Sequence, residues 1–473
     1  ASRTTLFQDT LMPEHYAQKP SARWLALVSI CIATFLIPQS MSAVNMALPA
    51  IAEDLQADAV LVSWLPTANI WGSIILMLPA GRIADMIGRK QVYLAGVLFF
   101  SLSSLMALVV ESIEWLLIAR VLQGLASAMV FATGMALVST IFDAKQRGMA
   151  LGLGSTSVYL GLTCGPLIGG WLTEALGWRA VFWAPVPFAL IAMILVVVNV
   201  KGQCISAVKN KLDWLGSLLF ALWTTAFFFG LSGLPDPRYV IALIVGLALL
   251  YLFIRQQSVA EYPLIRLRAL ADNKVFSRSI IASLFMYGAH YPVLFLLSLY
   301  LQYIQGMSPS ESGQLILVQA LIMACLAPFA GKLSDIYEPR LIATTGCLLF
   351  GLGFAVLIGL DAESSLTHVL IGLVLLGSGF GLFSSPNNNA ALSSVRPDRL
   401  SIASALLNLS RTLGNMFSMA VVVLLVNLMM GDEAITPEHY PALLQVIRVA
   451  LVLACIYTLI AAFSSYKRGK IRG

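Results

Sequence analysis

The chain has 473 residues, of which 59% are hydrophobic and only 11% are charged. Soluble proteins average about 25% charged residues, so this composition excludes an ordinary water-soluble enzyme or binding domain. The net charge of +6 does not indicate nucleic-acid binding, because the basic residues are scattered through short loops, where they act as membrane topology signals.

Apolar segments of about 20 residues recur along the whole chain, and each is long enough to cross a bilayer as a helix. Fourteen segments are predicted, at roughly 24–50, 60–80, 91–110, 114–140, 148–172, 178–200, 212–232, 238–255, 276–304, 312–330, 341–360, 366–393, 402–429 and 443–465. The connections are short, so neighbouring helices should be antiparallel. Twelve spans are the alternative if 212–255 is not two helices, although a Pro235–Pro237 turn separates two apolar runs there.

The lysines and arginines are distributed unevenly between alternate loops. If the N-terminus is cytoplasmic, 24 of the 29 basic residues fall on the cytoplasmic side. We therefore expect a multi-pass protein of the inner or plasma membrane, with both termini cytoplasmic and the bilayer as its surroundings. The first 22 residues lack the apolar centre of a secretory signal, so the first helix should direct insertion. The six cysteines show no metal-ligand spacing, and we expect reduced packing residues.

A charged segment at 81–90 recurs in weaker form 250 positions later. Its residues Gly81, Asp85 and Lys90 reappear at one constant offset as Gly331, Asp335 and Arg340. The first copy joins spans two and three and the second joins spans ten and eleven, which predicts six helices, two inserted helices and six more. The predicted parts are an N-terminal segment (1–22), a first bundle (23–200), an insert (201–260), a second bundle (261–465) and a basic tail (466–473). Repeated halves around a central site are a common transporter arrangement.

The segment Gly81–Lys90 resembles the loop signature of the major facilitator superfamily, Gly-x-x-x-Asp-x-x-Gly-Arg-Lys. The resemblance implies the major facilitator fold, an all-α membrane protein with two six-helix bundles plus two inserted helices. In that family the cluster holds the cytoplasmic side closed by ion pairing. It thus implies gating roles, which we assign to the residues Asp85, Arg89, Lys90, Asp335 and Arg340. Physically, we expect Gly81 to allow helices to approach and Gly88 to permit a tight turn. The alternative to a gating role is a topology signal with a helix cap.

Two further segments resemble motifs of the same family. Arg120 stands in a pattern similar to Arg-x-x-Gln-Gly of the fourth helix, where the arginine is linked to proton transfer; a structural hydrogen bond is the alternative. The segment Gly161–Gly170 resembles the fifth-helix signature of antiporters, which favours export. Glycines spaced four residues apart allow close helix contact, and the proline removes a backbone donor. We expect gating roles for Gly161, Gly165, Pro166 and Gly169.

Four more segments look like the fourteen-helix drug:proton antiporter family: Val44–Pro49, Leu212–Gly216, Tyr300–Gln302 and Arg411–Gly414. The resemblance covers about residues 24–465, with one departure. Members usually carry an aspartate in the first helix, where this chain has Ser40.

None of the 23 carboxylates lies in the middle of a predicted span, whereas Arg120, Arg411 and His290 do. An unpaired cation is costly in a cavity without carboxylates, so this interior suits neutral, amphipathic or anionic cargo better. His290 is a candidate proton carrier together with Arg120, because its unperturbed pKa lies near 6.5. A hydrogen-bonded interior histidine beside a proline kink is the alternative.

The sequence predicts a secondary transporter, not an enzyme, that exports amphipathic small molecules by alternating access, with no cofactor and no metal. The family resemblance implies that the proton gradient drives it. An exporter of an organic anion such as a siderophore, or of a lipid, is the first alternative; a non-transporting membrane scaffold or sensor is the second. We expect a monomer. The candidate cavity residues, each of which could instead be a packing residue, are Gln39, Ser40, Asn45, Trp64, Asn69, Trp71, Tyr159, Gln319, Asn387, Asn388, Asn408, Arg411 and Asn415.

Overall fold

The computed structural model describes residues 20–142, 144–201, 212–261, 263–264, 273–395, 400–431 and 435–469. These residues form fourteen long helices: α1 Pro20–Asp54, α2 Ala59–Ile87, α3 Arg89–Met106, α4 Ile113–Ile141, α5 Ala144–Leu176, α6 Pro185–Asn199, α7 Trp214–Ser232, α8 Pro237–Val259, α9 Lys274–Leu299, α10 Pro309–Ile336, α11 Pro339–Leu357, α12 Leu366–Ser393, α13 Leu400–Met429 and α14 Tyr440–Lys467. A helical turn, Ala180–Trp183, precedes α6, and a π-helical turn, Tyr300–Ile304, extends α9.

Twelve helices within the described ranges are long and apolar enough to cross a membrane, and α3 and α5 are the exceptions. The helix α3 begins with the basic pair Arg89 and Lys90, and α5 is continuous but rich in glycine. Both nevertheless pack alongside membrane helices, α3 against α4 and α6, and α5 against α1 and α10. The predicted all-helical fold with fourteen spans is therefore confirmed.

The charged segment at 81–90, which the sequence places between the predicted spans two and three, is helical except at Gly88. The helix α2 continues through Ile87, α3 begins at Arg89, and Gly88 alone separates them. No residue after Gly81 breaks the helix until Gly88, whose φ of 119° is a conformation that favours glycine. The expected helix approach at Gly81 was wrong, because a Cβ there would meet no described atom within 4 Å. The second copy behaves similarly, with α10 running through Ile336.

The helices pair in two equivalent sets. In the first six helices, α1 packs against α5 and α6, α4 against α2 and α3, and α3 against α6. Each pair recurs eight helices later: α9 with α13 and α14, α12 with α10 and α11, and α11 with α14. The two halves meet through α2–α13, α5–α10 and α1–α9. Because α10 is the equivalent of α2, and α13 of α5, the first two contacts are related by the internal repeat. The internal repeat thus produces two six-helix bundles, as the constant offset predicted.

The insert α7–α8 contacts both bundles, and aromatic rings join it to each of them. The helix α7 contacts α8, α13 and α2. Trp64 of α2 stacks on Phe229 with 5.0 Å between ring centroids, and Trp71 meets the same ring edge-on at 5.2 Å. The Trp71 Nε1–H also donates a hydrogen bond of 3.1 Å to Thr225 Oγ1. Both tryptophans therefore pack against α7, and the predicted cargo contacts at Trp64 and Trp71 do not fit this placement.

One aspartate joins the two helices of the insert at their other end. The Asp213 carboxylate accepts a 2.8 Å hydrogen bond from the Gly216 N–H, which caps the first turn of α7. The same carboxylate accepts hydrogen bonds from the side chains of Gln256 and Gln257 at the end of α8. This gives a structural reason for the Leu212–Gly216 motif, which the resemblance alone did not explain.

The two ends of the protein differ in charge. The loops α2–α3 and α10–α11 lie at one end, which carries Arg89, Lys90 and Arg340 and which we name the basic end. The turns α1–α2, α5–α6 and α9–α10 lie at the other, which we name the opposite end. There Arg179 pairs with Asp54 at 2.7 Å and so connects the α5–α6 loop to the end of α1.

Candidate functional site

Buried polar side chains without partners mark the interface between the two bundles. Most of those that the structure describes lie on α1, α2, α5, α9, α10 and α13, the six helices through which the halves meet. An unpaired buried donor or acceptor costs about 1–3 kcal/mol, so such a set indicates groups that meet water or a ligand. Among the described residues of these six helices, the following have side-chain atoms with no hydrogen-bond partner: Gln39, Ser40, Asn45, Asn69, Thr163, Tyr291, Ser312, Gln319 and Asn415. Six of these nine were predicted from sequence. Thr163, inside the α5 glycine motif, Tyr291, beside His290, and Ser312 were missed.

Arg120 is fully buried, and two of its three side-chain nitrogens donate hydrogen bonds to protein atoms. Its Nε donates to the Leu65 carbonyl at 3.1 Å, and its Nη1 donates to Gln123 Oε1 at 2.5 Å. Its Nη2 has no partner among the described residues. The hydroxyl of Tyr291, on α9 of the other bundle, is also buried without a hydrogen-bond partner among the described residues. Arg120 is therefore anchored within the first bundle and keeps one donor for a further acceptor.

Arg411 forms the second cationic group of the interior, and it is half-buried. Its Nη2 donates to Asn388 Oδ1 at 2.5 Å and its Nη1 donates to Asn408 Oδ1 at 3.2 Å. The guanidinium carbon lies 5.0 Å from the centre of the Tyr287 ring, a cation–π distance. The sequence-predicted residues Asn388, Asn408 and Arg411 are thus brought together, closer to the basic end than Arg120 is.

Asn387 belongs to a packing network instead. Its Nδ2 donates to the Ser279 carbonyl and to Ser283 Oγ, and its Oδ1 accepts from Arg468 Nη1 at 2.9 Å. Both polar atoms are occupied and the side chain is fully buried, so the predicted cargo contact at Asn387 does not fit this placement. Arg468, which the sequence placed in a basic tail, is 1% exposed. No sequence signal distinguished it from its basic neighbours.

His290 lies among aromatic rings of the second bundle. Its ring stacks on Phe380 with 4.5 Å between centroids and lies 5.8 Å from Phe350. These partners belong to α12 and α11, so the histidine faces the interior of its own bundle. The side chain of Tyr159, also a candidate, lies outside the described residues.

The interior lacks a carboxylate in the part of the chain that the structure describes. The acidic residues that fall within the fourteen helices occupy the first or last turns, as Asp54, Glu114, Glu174 and Glu311 illustrate. The same residues include no group of three His, Cys, Asp or Glu side chains that could hold a metal ion. The fixed charge near the interface therefore comes from arginine.

The basic-end residues contact their own bundle. Arg89 Nη1 donates to the Ala136 carbonyl of α4 at 3.4 Å, and Lys90 Nζ donates to the Val197 carbonyl, also at 3.4 Å, near the end of α6. Cations at helix C-termini are stabilised by the helix dipole. In the second bundle Arg340 lies over the ring of Tyr466 of α14 at 5.6 Å, which repeats the Lys90 arrangement. The side chains of Asp85 and Asp335 lie outside the described residues, so their gating roles stay predictions.

The glycine stripe of α5 contacts α1. A Cβ on Gly161 would lie 2.2 Å from the Phe35 carbonyl oxygen, and one on Gly169 would lie 2.5 Å from the Ala43 carbonyl oxygen. The other face of α5 meets the second bundle, where a Cβ on Gly313 would lie 2.3 Å from the Pro166 carbonyl oxygen. The motif therefore packs α5 between α1 and α10 and brings the bundles together near the opposite end.

Two pseudo-symmetric helical bundles around a polar interface define a membrane transporter of small molecules. Residues 30–419 match the sequence profile of the Major Facilitator Superfamily, and the chain belongs to this family.

Relatives named as transporters or multidrug resistance proteins are similar to this chain over most of their length. The chain is 30% identical over 403 residues to "Riboflavin transporter RibZ" of Clostridioides difficile (strain 630), covering 84% of this chain and 87% of that protein. It is 29% identical to "Multidrug resistance protein Stp" of Mycobacterium tuberculosis (strain ATCC 25618 / H37Rv), covering 84% and 75%. It is 27% identical to "Multidrug transporter protein MdtP" of Bacillus subtilis (strain 168), covering 88% and 77%.

Solved structures share the fold at low identity. A bacterial homolog of the human lysosomal transporter Spinster, in an inward-facing and unoccupied conformation, matches with a TM-score of 0.69 at 18% identity, covering 95% of this chain and 97% of that one. The peptide transporter POT in complex with sulfate matches with a TM-score of 0.66 at 16% identity, covering 93% and 95%.

Proposed function

We propose that the protein exports amphipathic small molecules by alternating access, driven by the proton gradient. The observation that carries this proposal is the set of unpaired polar side chains on the six interface helices, contributed by both bundles. Such groups are compatible with cargo that replaces water between the halves. Relatives named as multidrug transporters, and the resemblance of Gly161–Gly170 to the antiporter signature, support the outward direction.

The chemistry of the interface favours neutral or acidic cargo. Amides and hydroxyls such as Gln39, Ser40 and Gln319 offer hydrogen bonds without charge, and Tyr287 offers an aromatic face. A lipophilic cation would find no counter-charge among the described interior residues and would lose its hydration. A neutral heteroaromatic molecule fits better, and one relative is named as a riboflavin transporter. Riboflavin is therefore one member of the cargo panel.

The second candidate function is export of an organic anion, such as a siderophore, or of a lipid. Arg411 favours it, because the guanidinium is half-buried and lies beside Tyr287 near the interface. Arg120 fits this role less well, since two of its nitrogens already bond to α2 and α4. A non-transporting scaffold or sensor is disfavoured, because unpaired buried polar groups cost stability without serving a cargo.

Proton coupling must use groups other than a first-helix aspartate, because Ser40 stands at that position. We propose Arg120 and His290 as the coupling residues, in line with the sequence analysis. His290 is enclosed by Phe380 and Phe350 inside the second bundle, so a proton reaches it only if that bundle rearranges. We further propose that the basic end faces the cytoplasm of the inner or plasma membrane and that the monomer is the working unit.

The test is flux in reconstituted vesicles carrying a pH gradient. The panel holds a neutral amphipath, riboflavin and a carboxylic acid of similar size, each with and without a protonophore. The proposal predicts uptake into inside-out vesicles that the protonophore abolishes, and it predicts that His290→Gln removes the dependence on pH. Absence of flux for every member of the panel would support the scaffold alternative. Flux that is unaffected by the protonophore would refute proton coupling.

A further inference from the structure

Pro49, near the opposite end of α1, leaves one main-chain carbonyl without a donor in its own helix. The carbonyl of residue i normally accepts from the N–H of residue i+4, and proline has no N–H. The affected carbonyl is that of Asn45. It accepts instead from the hydroxyl of Ser298, on α9 of the other bundle. A hydrogen bond between the bundles thus replaces one that α1 cannot make.

The direction of the Ser298 hydroxyl is fixed by its neighbour one turn later. Gln302 Nε2 donates to Ser298 Oγ at 3.0 Å. A hydroxyl carries a single hydrogen, so Ser298 accepts from Gln302 and donates to the Asn45 carbonyl. Gln302 lies in the π-helical turn after α9, where the Tyr300 hydroxyl donates to the Asp361 carbonyl at 2.8 Å. The donor side of the contact is therefore held rigidly within the second bundle.

The contact accounts for two motifs that the functional site left unexplained. The motif Val44–Pro49 contains the Asn45 carbonyl and the proline that leaves it without a donor in α1. The motif Tyr300–Gln302 contains Gln302, which orients the Ser298 hydroxyl. Ser298 is fully buried and Asn45 is 1% exposed, so neither group reaches water while the bundles touch. The contact lies on the same side as the close approach of Gly313 to α5.

We propose that the Gln302–Ser298–Asn45 contact holds the opposite end of the protein closed in one state of the transport cycle and breaks when that end opens. The proposal rests on the alternating access of the proposed function, but not on its cargo or on protons. Because the Asn45 carbonyl has no donor within α1, water must replace Ser298 when the bundles separate. Because one hydrogen bond replaces another, the net free-energy difference between the closed and open states is small. The contact therefore favours the closed state without preventing opening in each cycle.

The test measures the distance between bundles at the opposite end. Spin-labelled unnatural amino acids at Glu111 and Ala362, exposed positions in the α3–α4 and α11–α12 loops, leave the native cysteines unchanged. In nanodiscs, Ser298→Ala should raise the ratio of the long-distance to the short-distance population roughly fivefold. Ser298→Thr keeps the hydroxyl and should match the native chain. Ser410→Ala is the control, because that buried hydroxyl bonds to the Leu407 carbonyl of its own helix.

A double-mutant cycle separates this contact from general loosening of the fold. Pro49→Ala gives α1 an N–H that can bond the Asn45 carbonyl, so Ser298→Ala should have little further effect in that background. A distance distribution of Ser298→Ala that equals the native one would overturn the proposal, and so would an equal shift in both backgrounds. Since the distances are measured without cargo or a pH gradient, failed transport in the vesicle assay leaves this result standing.

Discussion

Replacing Gly165 with alanine should force α5 away from α1. A Cβ at this position would lie 1.8 Å from Ser42 Oγ and 2.8 Å from the Gln39 carbonyl oxygen. The Ser42 hydroxyl now donates at 3.2 Å to the Leu162 carbonyl, which has no helical donor because the residue four positions later is Pro166. The added methyl group therefore occupies the space that α1 fills. It also displaces the Ser42 hydroxyl that donates to the Leu162 carbonyl.

Either way of relieving this clash costs stability. If Ser42 rotates away, the Leu162 carbonyl stays buried without a donor, at about 1–3 kcal/mol. If α1 moves instead, overpacking costs about 1–3 kcal/mol. Alanine recovers up to about 1 kcal/mol over glycine inside a helix. With that recovery in full, we expect a net loss of up to about 2 kcal/mol and a lower thermal unfolding midpoint.

The assay is thermal unfolding of the purified protein in detergent, with Gly81→Ala as the matched control. Gly81 also lies within a helix, yet a Cβ there would meet no described atom within 4 Å. The control should therefore keep or raise the native midpoint. If Gly165→Ala unfolds at the same temperature as Gly81→Ala, the close α1–α5 packing is incorrect.

Three further substitutions have distinct expected results. Arg411→Gln should reduce vesicle flux of a carboxylic acid about tenfold or more while sparing a neutral amphipath of equal size, and equal loss of both would remove Arg411 as an anion contact. Asp213→Ala should lower the thermal midpoint, because it removes the cap of α7 and the acceptor for α8, at about 1–2 kcal/mol, and a changed cargo preference would contradict this structural role. Arg468→Met leaves the buried Asn387 Oδ1 without its donor and should cost about 1–3 kcal/mol in the same unfolding assay, so an unchanged midpoint would refute the network.

The fold was predictable because a bilayer leaves few choices. Backbone groups in lipid must bond internally, so apolar runs of sufficient length become helices, and the offset between Gly81 and Gly331 indicated two related halves. The ends of helices were less predictable. The charged residues between Gly81 and Gly88 were taken for a loop, although charge at a membrane surface is compatible with a continuing helix. The residue boundaries of the bundles and the insert remain predictions.

The candidate site was only partly predictable, because the sequence shows that a residue in a membrane helix is polar but not which residue its side chain contacts. Ser40 and Gln319 are unpaired at the bundle interface, whereas Asn387 meets an arginine from the far end of the chain. Trp64 was expected in the cavity wall and packs on the insert instead, since its partners come from α7. The cross-bundle bond of Ser298 could be found from sequence only in part: Pro49 marks the released carbonyl but not its donor.

The absence of carboxylates from the described interior should set the charge of the cargo. The direct measurement is vesicle flux of three molecules built on one aromatic scaffold, a permanent cation, a neutral form and an acid, through the native protein and through Ser40→Asp. We predict that the native protein moves the neutral and acidic forms and not the cation, and that Ser40→Asp gains transport of the cation. Flux of the permanent cation through the native protein at a rate comparable to that of the neutral form would contradict the claim.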